Sequence, residues 1–334
     1  MDWPFQAPWW LPGGNLQTLW AALLARTHAG EVPRFRRERW NTPDGDFVDV
    51  DHAEHPASER APVLVVFHGL EGSSGSAYVQ AFASWARDRQ IPMAMPHFRG
   101  CSGELNLAPR AYHSGDHEEI DWMLSKVRQS YPGRQLVAVG ISLGGNALMR
   151  WAAEQGSAAG QRASAVASVC SPLDLAASGH AIGKGFNRQV YTRMFLSSMV
   201  PKALAKLEQH PGLFDRDALL QARDLHAFDN VFTGPLHGFA GTDDYWARAS
   251  AKPLLPDIRI PALALNALND PFIPAESLPT PEQAGRYVSL WQPEQGGHVG
   301  FVRPARPWGL PGHVLSMPAA VGGWLLKHTA AGEA

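Results

Sequence analysis

The feature that most constrains the fold is a turn at residues 140–144, between an apolar run and a helix-forming run. Residues 136–141 are apolar or glycine, as in a strand that is buried on both faces. Residues 143–150 then carry helix formers at helical spacing. Side chains two before and two after Ser142 would collide with neighbouring backbone in so sharp a turn, and these positions are Gly140 and Gly144. The pattern predicts a strand, a tight turn and a helix, with Ser142 at the point of the turn.

A serine in this setting is a candidate nucleophile. The N–H of Leu143 would lie at the N-terminus of the helix, where partial positive charge favours an oxyanion. The alternative is an ordinary Gly/Ser turn, because small residues are common in turns. A catalytic interpretation therefore needs a base and an acid elsewhere in the chain.

Two late apolar runs supply these candidates. Strands are predicted at 261–265 and 287–291; Asp270 follows the first and His298 follows the second. An α/β sheet places its site at the carboxyl ends of its strands. The order Ser142, Asp270, His298 predicts a triad in which His298 takes the serine proton and Asp270 orients the imidazole. Asp174 and Asp229 are alternative acids, but both fall within or beside a predicted insertion.

A glycine-rich loop follows the buried strand predicted at 62–67. It begins His68-Gly69-Leu70-Glu71-Gly72, and the Leu70 N–H would be a second oxyanion donor beside the Leu143 N–H. The alternative is a phosphate-binding loop. That loop would need a G-K-[ST] ending or a G-x-G-x-x-G pattern, and neither is present.

The remaining patterns predict an α/β core with a helical insertion. A hairpin at 34–53, a helix at 78–88, a strand at 91–96 and a strand at 163–170 complete the core, with a last helix at 311–327. The stretch between 171 and 261 is too long for a structureless loop and has helical patterns at 190–199, 203–209 and 216–223. We therefore predict a core of residues 1–171 and 260–334, with an N-terminal extension of 1–33. Residues 172–259 would form a helical cap over Ser142 that excludes water.

Composition excludes several classes of protein. The 29 Lys and Arg against 31 Asp and Glu give no basic excess, so no nucleic-acid partner is predicted. Two cysteines imply no disulfide framework and fit a reducing compartment, which predicts a cytoplasmic protein. We find no apolar stretch long enough to span a membrane and no signal-peptide pattern. The sequence does not indicate an oligomeric state.

Two segments carry alternative interpretations. His113 and His117 have metal-ligand spacing, but Ser114 or Asp116 at a helix start is favoured, because no further ligand cluster has fitting spacing. Residues 16–26 predict an amphipathic helix rich in Trp and Leu, with Asn15 as its N-cap. This helix would either contact a membrane surface near a lipid substrate or lie on the globular body. Its polar face lacks the lysines of interfacial helices, which favours the second interpretation.

These motifs resemble the YheT-like branch of the α/β-hydrolases, which includes plant embryogenesis-associated proteins and animal abhydrolases that act on lipids. The resemblance spans nearly the whole chain and departs from the family pattern at Asn15 (usually His) and Trp246 (usually Tyr). The carriers are Gly14-Asn15-Leu16-Gln17-Thr18, His68-Gly69-Leu70-Glu71-Gly72, Phe98-Arg99-Gly100-Cys101-Ser102-Gly103, Tyr112-His113-Ser114-Gly115, Gly140–Asn146, and a spaced pattern from Asp229 through Gly238-Phe239, Asp244-Tyr245, Ser250, Ile258 and Pro261 to Asn269-Asp270.

The resemblance implies an α/β-hydrolase fold, with a mostly parallel central sheet flanked by helices and a cap inserted between late strands. It implies a serine ester hydrolase acting on acyl esters or acylglycerols. We expect no metal and no organic cofactor. Acyl transfer, thioester cleavage and phospholipid cleavage use the same triad and stay open; a non-catalytic binding protein on this fold is the remaining alternative. The substrate-pocket candidates are His68, Gly69, Glu71, Phe239, Tyr245 and Trp246.

Overall fold

Eight strands form one mixed sheet in a computed structural model that describes residues 3–305 and 309–330. Nine of the 334 positions lie outside the described residues: the first two and last four of the predicted core, and residues 306–308. The strand order is β1-β2-β4-β3-β5-β6-β7-β8. β1 and β2 form an antiparallel hairpin, β2 pairs antiparallel with β4, and the other pairs are parallel. The strands are β1 (Phe35–Asn41), β2 (Phe47–Ala53), β3 (Val63–Phe67), β4 (Met93–Pro96), β5 (Leu136–Ile141), β6 (Ala165–Val169), β7 (Ala262–Leu265) and β8 (Val288–Trp291).

Helices lie on both faces of this sheet and in the long segment between β6 and β7, which holds α5 to α11. They are α1 (Gly14–Leu23), α2 (Ala77–Asp88), α3 (His117–Ser130), α4 (Leu143–Gln155), α5 (Leu175–Ile182), α6 (Gly185–Asn187), α7 (Arg193–Gln209), α8 (Arg216–Gln221), α9 (Leu225–Val231), α10 (Thr233–Leu236), α11 (Thr242–Ala249), α12 (Pro281–Ala284) and α13 (Ser316–Leu326). Among the described residues, none of these helices has the length and apolar character needed to cross a bilayer.

The central strands are apolar throughout because helices cover both of their faces. In β3, Val65 belongs to the core cluster that contains Met123 of α3 and Trp151 of α4. Its neighbour Leu64 belongs to the opposite cluster, which contains Phe82 of α2 and helix α13. Successive residues of one strand therefore stabilise different layers, as the two-residue repeat of a strand requires. The predicted mostly parallel sheet flanked by helices is confirmed.

Three helix predictions were wrong in their limits. The two helices predicted on either side of Pro201 are one, because α7 continues through that proline at the loss of one backbone hydrogen bond. Helix α1 is capped by Gly13, and Asn15 lies inside it with its side-chain oxygen accepting a hydrogen bond from the Tyr191 hydroxyl. The last helix starts at Ser316, since His313 is bridged to Arg303 just before it.

Candidate active site

Ser142 lies at the sharp turn between β5 and α4. Its φ of 53° is in the left-handed region, and its N–H donates to the Val169 carbonyl at 2.8 Å. A Cβ added to Gly140 would lie 2.4 Å from the Gly144 carbonyl oxygen, and one added to Gly144 would lie 2.4 Å from the His68 carbonyl oxygen. The backbone thus packs too closely here for any side chain but hydrogen, as the sequence pattern predicts.

Ser142, His298 and Asp270 form one hydrogen-bonded line. The Ser142 Oγ lies 3.0 Å from His298 Nε2, and His298 Nδ1 lies 2.9 Å from Asp270 Oδ2. The other Asp270 oxygen accepts the Phe272 N–H at 2.8 Å, and the aspartate side chain is fully buried. The ring of Phe272 stands 4.2 Å from the imidazole, centroid to centroid. The carboxylate is therefore held on one side of the imidazole and the serine on the other, which is the arrangement needed to remove the serine proton.

The backbone N–H groups of Leu70 and Leu143 lie beside this line and have no acceptor among the described residues. Leu143 is the first residue of α4, where backbone N–H groups lack partners within the helix. Leu70 lies between two anchored residues, since Gly69 N–H donates to the Tyr78 hydroxyl and Glu71 N–H to the Tyr112 hydroxyl, both at 2.9 Å. The loop is therefore fixed on both sides of an N–H that is free to bind an anion.

His68 lies buried behind this loop. Its Nε2 accepts the Phe98 N–H at 3.0 Å, so Nδ1 carries the proton and donates to the Gly69 carbonyl at 2.7 Å. Burial lowers the pKa of His68 to about 3, so the ring stays neutral. This histidine fixes the backbone of the Leu70 loop from behind.

Ser142 opens onto a cavity of about 150 Å³. Most of its wall is apolar and comes from the segment between β6 and β7. The apolar lining includes Leu143, Leu175, Ile182, Phe195, Met199, Leu225, Phe228, Phe232, Trp246 and Phe272. Such a wall excludes water and favours an apolar group beside the serine.

A few polar groups interrupt the apolar wall. Asp229 accepts hydrogen bonds from the Trp246 indole at 2.9 Å and the Thr233 hydroxyl at 2.6 Å, and burial raises its pKa to about 6. Glu71 pairs with Lys202 of α7 at 2.9 Å. These groups are polar positions within an otherwise apolar wall.

Comparison with known proteins shows the family to which the chain belongs. Residues 62–304 match the family model described as the alpha/beta hydrolase fold. The chain is also 39% identical over 268 residues to the YheT protein of Escherichia coli (strain K12), covering 79% of this chain and 78% of that protein. The chain belongs to the α/β-hydrolase family. The resemblance inferred from its motifs is confirmed.

More distant relatives of this α/β-hydrolase have names that refer to lipids. The monoacylglycerol lipase of Saccharomyces cerevisiae is 28% identical over 283 residues, covering 82% of this chain but only 61% of the lipase. Human phospholipase ABHD3 is 27% identical over 286 residues, covering 82% of this chain and 68% of ABHD3. Among solved structures, the Pyrococcus furiosus esterase Pf2001 has the same fold, with a TM-score of 0.55, 12% identity and coverage of 90% and 97% of the two chains.

The α/β-hydrolase site contains three of the six pocket candidates in its cavity wall: Glu71, Tyr245 and Trp246. His68 and Gly69 lie behind the wall, where they hold the Leu70 loop. Phe239 is not among the lining residues that the structure describes; its ring packs on Tyr245 at 5.1 Å and under the Arg248 guanidinium. The hydroxyl of Tyr245 accepts the Ser114 N–H at 2.9 Å, so this tyrosine ties α11 to the start of α3.

The two segments with alternative interpretations in the sequence take specific places in this α/β-hydrolase. The rings of His113 and His237 pack together with their centroids 4.5 Å apart, and burial lowers the pKa of His113 to about 3. His117 begins α3, and the Asp116 carboxylate pairs with Arg110 instead of capping the helix. Helix α1 lies against the loops that carry Asp270 and His298. The sequence analysis did not include the polar residues of α1 in the site, because their partners are distant in sequence.

Cys170 is a further neighbour that sequence patterns did not single out. Within the described part of the chain, Cys170, Asp270 and His298 are the one group of three metal-binding side chains with ligand atoms within 4.8 Å. Burial, and secondarily Asp270, raises the pKa of the Cys170 thiol well above its ordinary value. The thiol therefore stays protonated, whereas metals bind the thiolate. Its sulfur accepts the Val299 N–H at 3.2 Å and so supports the loop that carries His298.

Proposed function

We propose that this protein is a serine carboxylic-ester hydrolase that cleaves short- to medium-chain acyl esters or acylglycerols through an acyl-enzyme on Ser142. The observation that carries the proposal is the line from Ser142 through His298 to Asp270, with distances of 3.0 and 2.9 Å, at the wall of an apolar cavity. A binding protein would not need Ser142 and His298 to be joined by a hydrogen bond, whereas a serine hydrolase does.

The geometry supports a two-step reaction. Ser142 Oγ attacks the acyl carbonyl while His298 Nε2 takes its proton, and the oxyanion accepts hydrogen bonds from the Leu70 and Leu143 N–H groups. The carbon–oxygen bond to the alcohol then breaks, and His298 returns the proton to the leaving alkoxide. Water next attacks the acyl-enzyme with His298 again as base, which releases the acid and restores Ser142.

The substrate class rests on the cavity and on the named relatives. We assign residues 172–259 the role of a cap, because this segment supplies most of the apolar wall beside Ser142. An acyl chain fits such a wall, and the yeast and human relatives are named for cleavage of acylglycerols and phospholipids. We place the protein in the cytoplasm, with a peripheral membrane contact through α1 as a second hypothesis.

The test combines a probe and a substrate panel. A fluorophosphonate should label wild-type Ser142, and Ser142→Ala should lose about 10⁴-fold or more of p-nitrophenyl ester hydrolysis. A panel of acyl lengths, with thioesters, phospholipids and competing alcohols, separates ester hydrolysis from the other triad reactions by its products. Unchanged turnover in Ser142→Ala would refute the proposal, and an unlabelled, inactive wild type would favour a binding protein.

A further inference from the structure

Helix α1 makes hydrogen bonds to both loops of the triad. Gln17 Oε1 accepts the Asn269 Nδ2–H at 3.0 Å and the Gly296 N–H at 2.9 Å. Asn269 directly precedes Asp270, and Gly296 lies two residues before His298. Gln17 therefore joins the acid loop to the base loop through one side-chain oxygen.

Thr18 bonds to the catalytic histidine's own backbone. Its Oγ1 accepts the His298 N–H at 2.8 Å and donates to the Gly14 carbonyl at 2.7 Å. Because the hydroxyl proton is engaged within α1, the oxygen is oriented as an acceptor toward His298. The main-chain position of His298 is thus tied to a side chain some 280 residues earlier.

Helix α1 packs tightly against the two catalytic loops. Gln17 is 2% exposed and Thr18 is 7% exposed, so these hydrogen bonds do not compete with bulk water. A Cβ added to Gly14 would lie 1.8 Å from the Asn269 carbonyl oxygen, and one added to Gly297 would lie 2.6 Å from the Gly14 carbonyl oxygen. The backbones of α1 and the two loops therefore touch directly, which sets the distance between Asp270 and His298.

We infer that Gln17 and Thr18 are positioning residues of the triad, which hold Asp270 and His298 in the register that activates Ser142. Neither residue reaches the reacting atoms; each acts through the backbone of a catalytic loop. The inference rests on the proposed function and adds Gln17 and Thr18 to it as residues that hold the catalytic loops in place. A displacement of about 1 Å in such a constellation is enough to cost on the order of 10²-fold in rate.

Thr18→Val and Thr18→Ser form the central test, because valine keeps the shape without the acceptor and serine keeps the acceptor. We expect Thr18→Val to lower kcat about 10- to 100-fold with KM nearly unchanged, and to slow fluorophosphonate labelling of Ser142 in proportion. Thr18→Ser should restore most of both rates. We expect the His298 Nδ1–H to give a downfield ¹H resonance in the wild type, and we expect that resonance to shift or broaden in Thr18→Val. Gln17→Met removes the acceptor that the two loops share, and we expect it to lower kcat and the labelling rate in the same way. It replaces Thr18→Val as the test if that variant folds poorly.

Trp20→Phe is the matched control. The Trp20 indole donates to the Pro311 carbonyl at 2.7 Å and anchors the same helix away from the triad loops. The Trp20→Phe substitution should lower Tm, while kcat and the rate of fluorophosphonate labelling stay at wild-type values. Wild-type kcat in folded Thr18→Val and Gln17→Met, or an equal loss in Trp20→Phe, would overturn the inference while leaving the proposed function intact. Failure of wild-type Ser142 to react with the probe would instead overturn the proposed function.

Discussion

The Trp246 indole donates a hydrogen bond to the Asp229 carboxylate at 2.9 Å in the wall of the cavity. Burial raises the pKa of Asp229 from its ordinary value of 3.8 to about 6, although the two donors oppose the shift. The folded protein thus keeps a proton that the unfolded chain releases near pH 4. The free energy of unfolding therefore falls as pH rises from about 4 to 6, and this loss persists above pH 6.

Asp229→Asn should remove this pH dependence, because the amide carries no charge to bury. Relative to the wild type, we expect the variant to gain about 2–3 kcal/mol in free energy of unfolding as the pH rises from 4 to 8. The hydrogen bond that it loses lowers its stability by about 1 kcal/mol at every pH alike. Urea unfolding of both proteins at a series of pH values measures this difference in free energy of unfolding. Parallel curves for the two proteins would contradict the assignment.

Trp246→Phe should move the same transition to higher pH. The variant keeps a ring in the cavity wall but removes one donor that stabilises the charged carboxylate, so the pKa of Asp229 should rise further. Thr233 still donates to the other oxygen and limits the effect. The midpoint of the pH-dependent loss of stability should shift upward by a measurable fraction of a pH unit; a downward shift would show that the indole does not stabilise the charged carboxylate.

Asp270→Asn should abolish most activity without unfolding the protein. The amide cannot stabilise an imidazolium, and we expect kcat to fall on the order of 10⁴-fold with little change in Tm. Asp174→Asn is the matched control. Asp174 caps α5 by accepting the Ala177 N–H at 3.0 Å, and asparagine caps helices about as well, so its activity and stability should stay near wild type. Equal losses in both variants would remove Asp270 from its proposed role.

Gly140→Ala should destabilise the fold by about 2–3 kcal/mol or more, because the new Cβ would lie 2.4 Å from a backbone oxygen of Gly144. Gly323→Ala is the control, since no described atom lies within 4 Å of its added Cβ and it is inside α13. It should stabilise the protein by about 0.5–1 kcal/mol through helix propensity. Thermal unfolding of both variants measures the contrast, and similar Tm values for the two would refute the steric argument at the turn.

The sequence predicted those parts of the fold that depend on local patterns. The apolar runs at 62–67 and 136–141 indicated buried strands because each strand is covered on both faces. The turn at Ser142 was evident because Gly140 is required by a contact only four residues away. The triad residues followed from their positions after successive strands, and the structure brings them within hydrogen-bond distance of one another.

What the sequence did not indicate depends on contacts between distant segments. Gln17 and Thr18 look like polar positions of an amphipathic helix, and only the folded chain shows their partners some 250–280 residues away. The patterns at 190–199 and 203–209 predicted two separate helices, yet α7 continues through Pro201 between them. The sequence offered Asp229 only as an alternative acid of the triad, and its raised pKa could not be predicted because it comes from burial.

The contacts of α1 also order events during synthesis on the ribosome. Gln17 leaves the ribosome early, whereas its partners Asn269 and Gly296 are made 252 and 279 residues later. At about 5–20 residues per second, that interval is roughly 15–55 s. During this time the growing chain contains Ser142 but not Asp270, His298 or the contacts of α1 with the loops that carry them. The proposed triad is therefore complete only when translation is nearly finished.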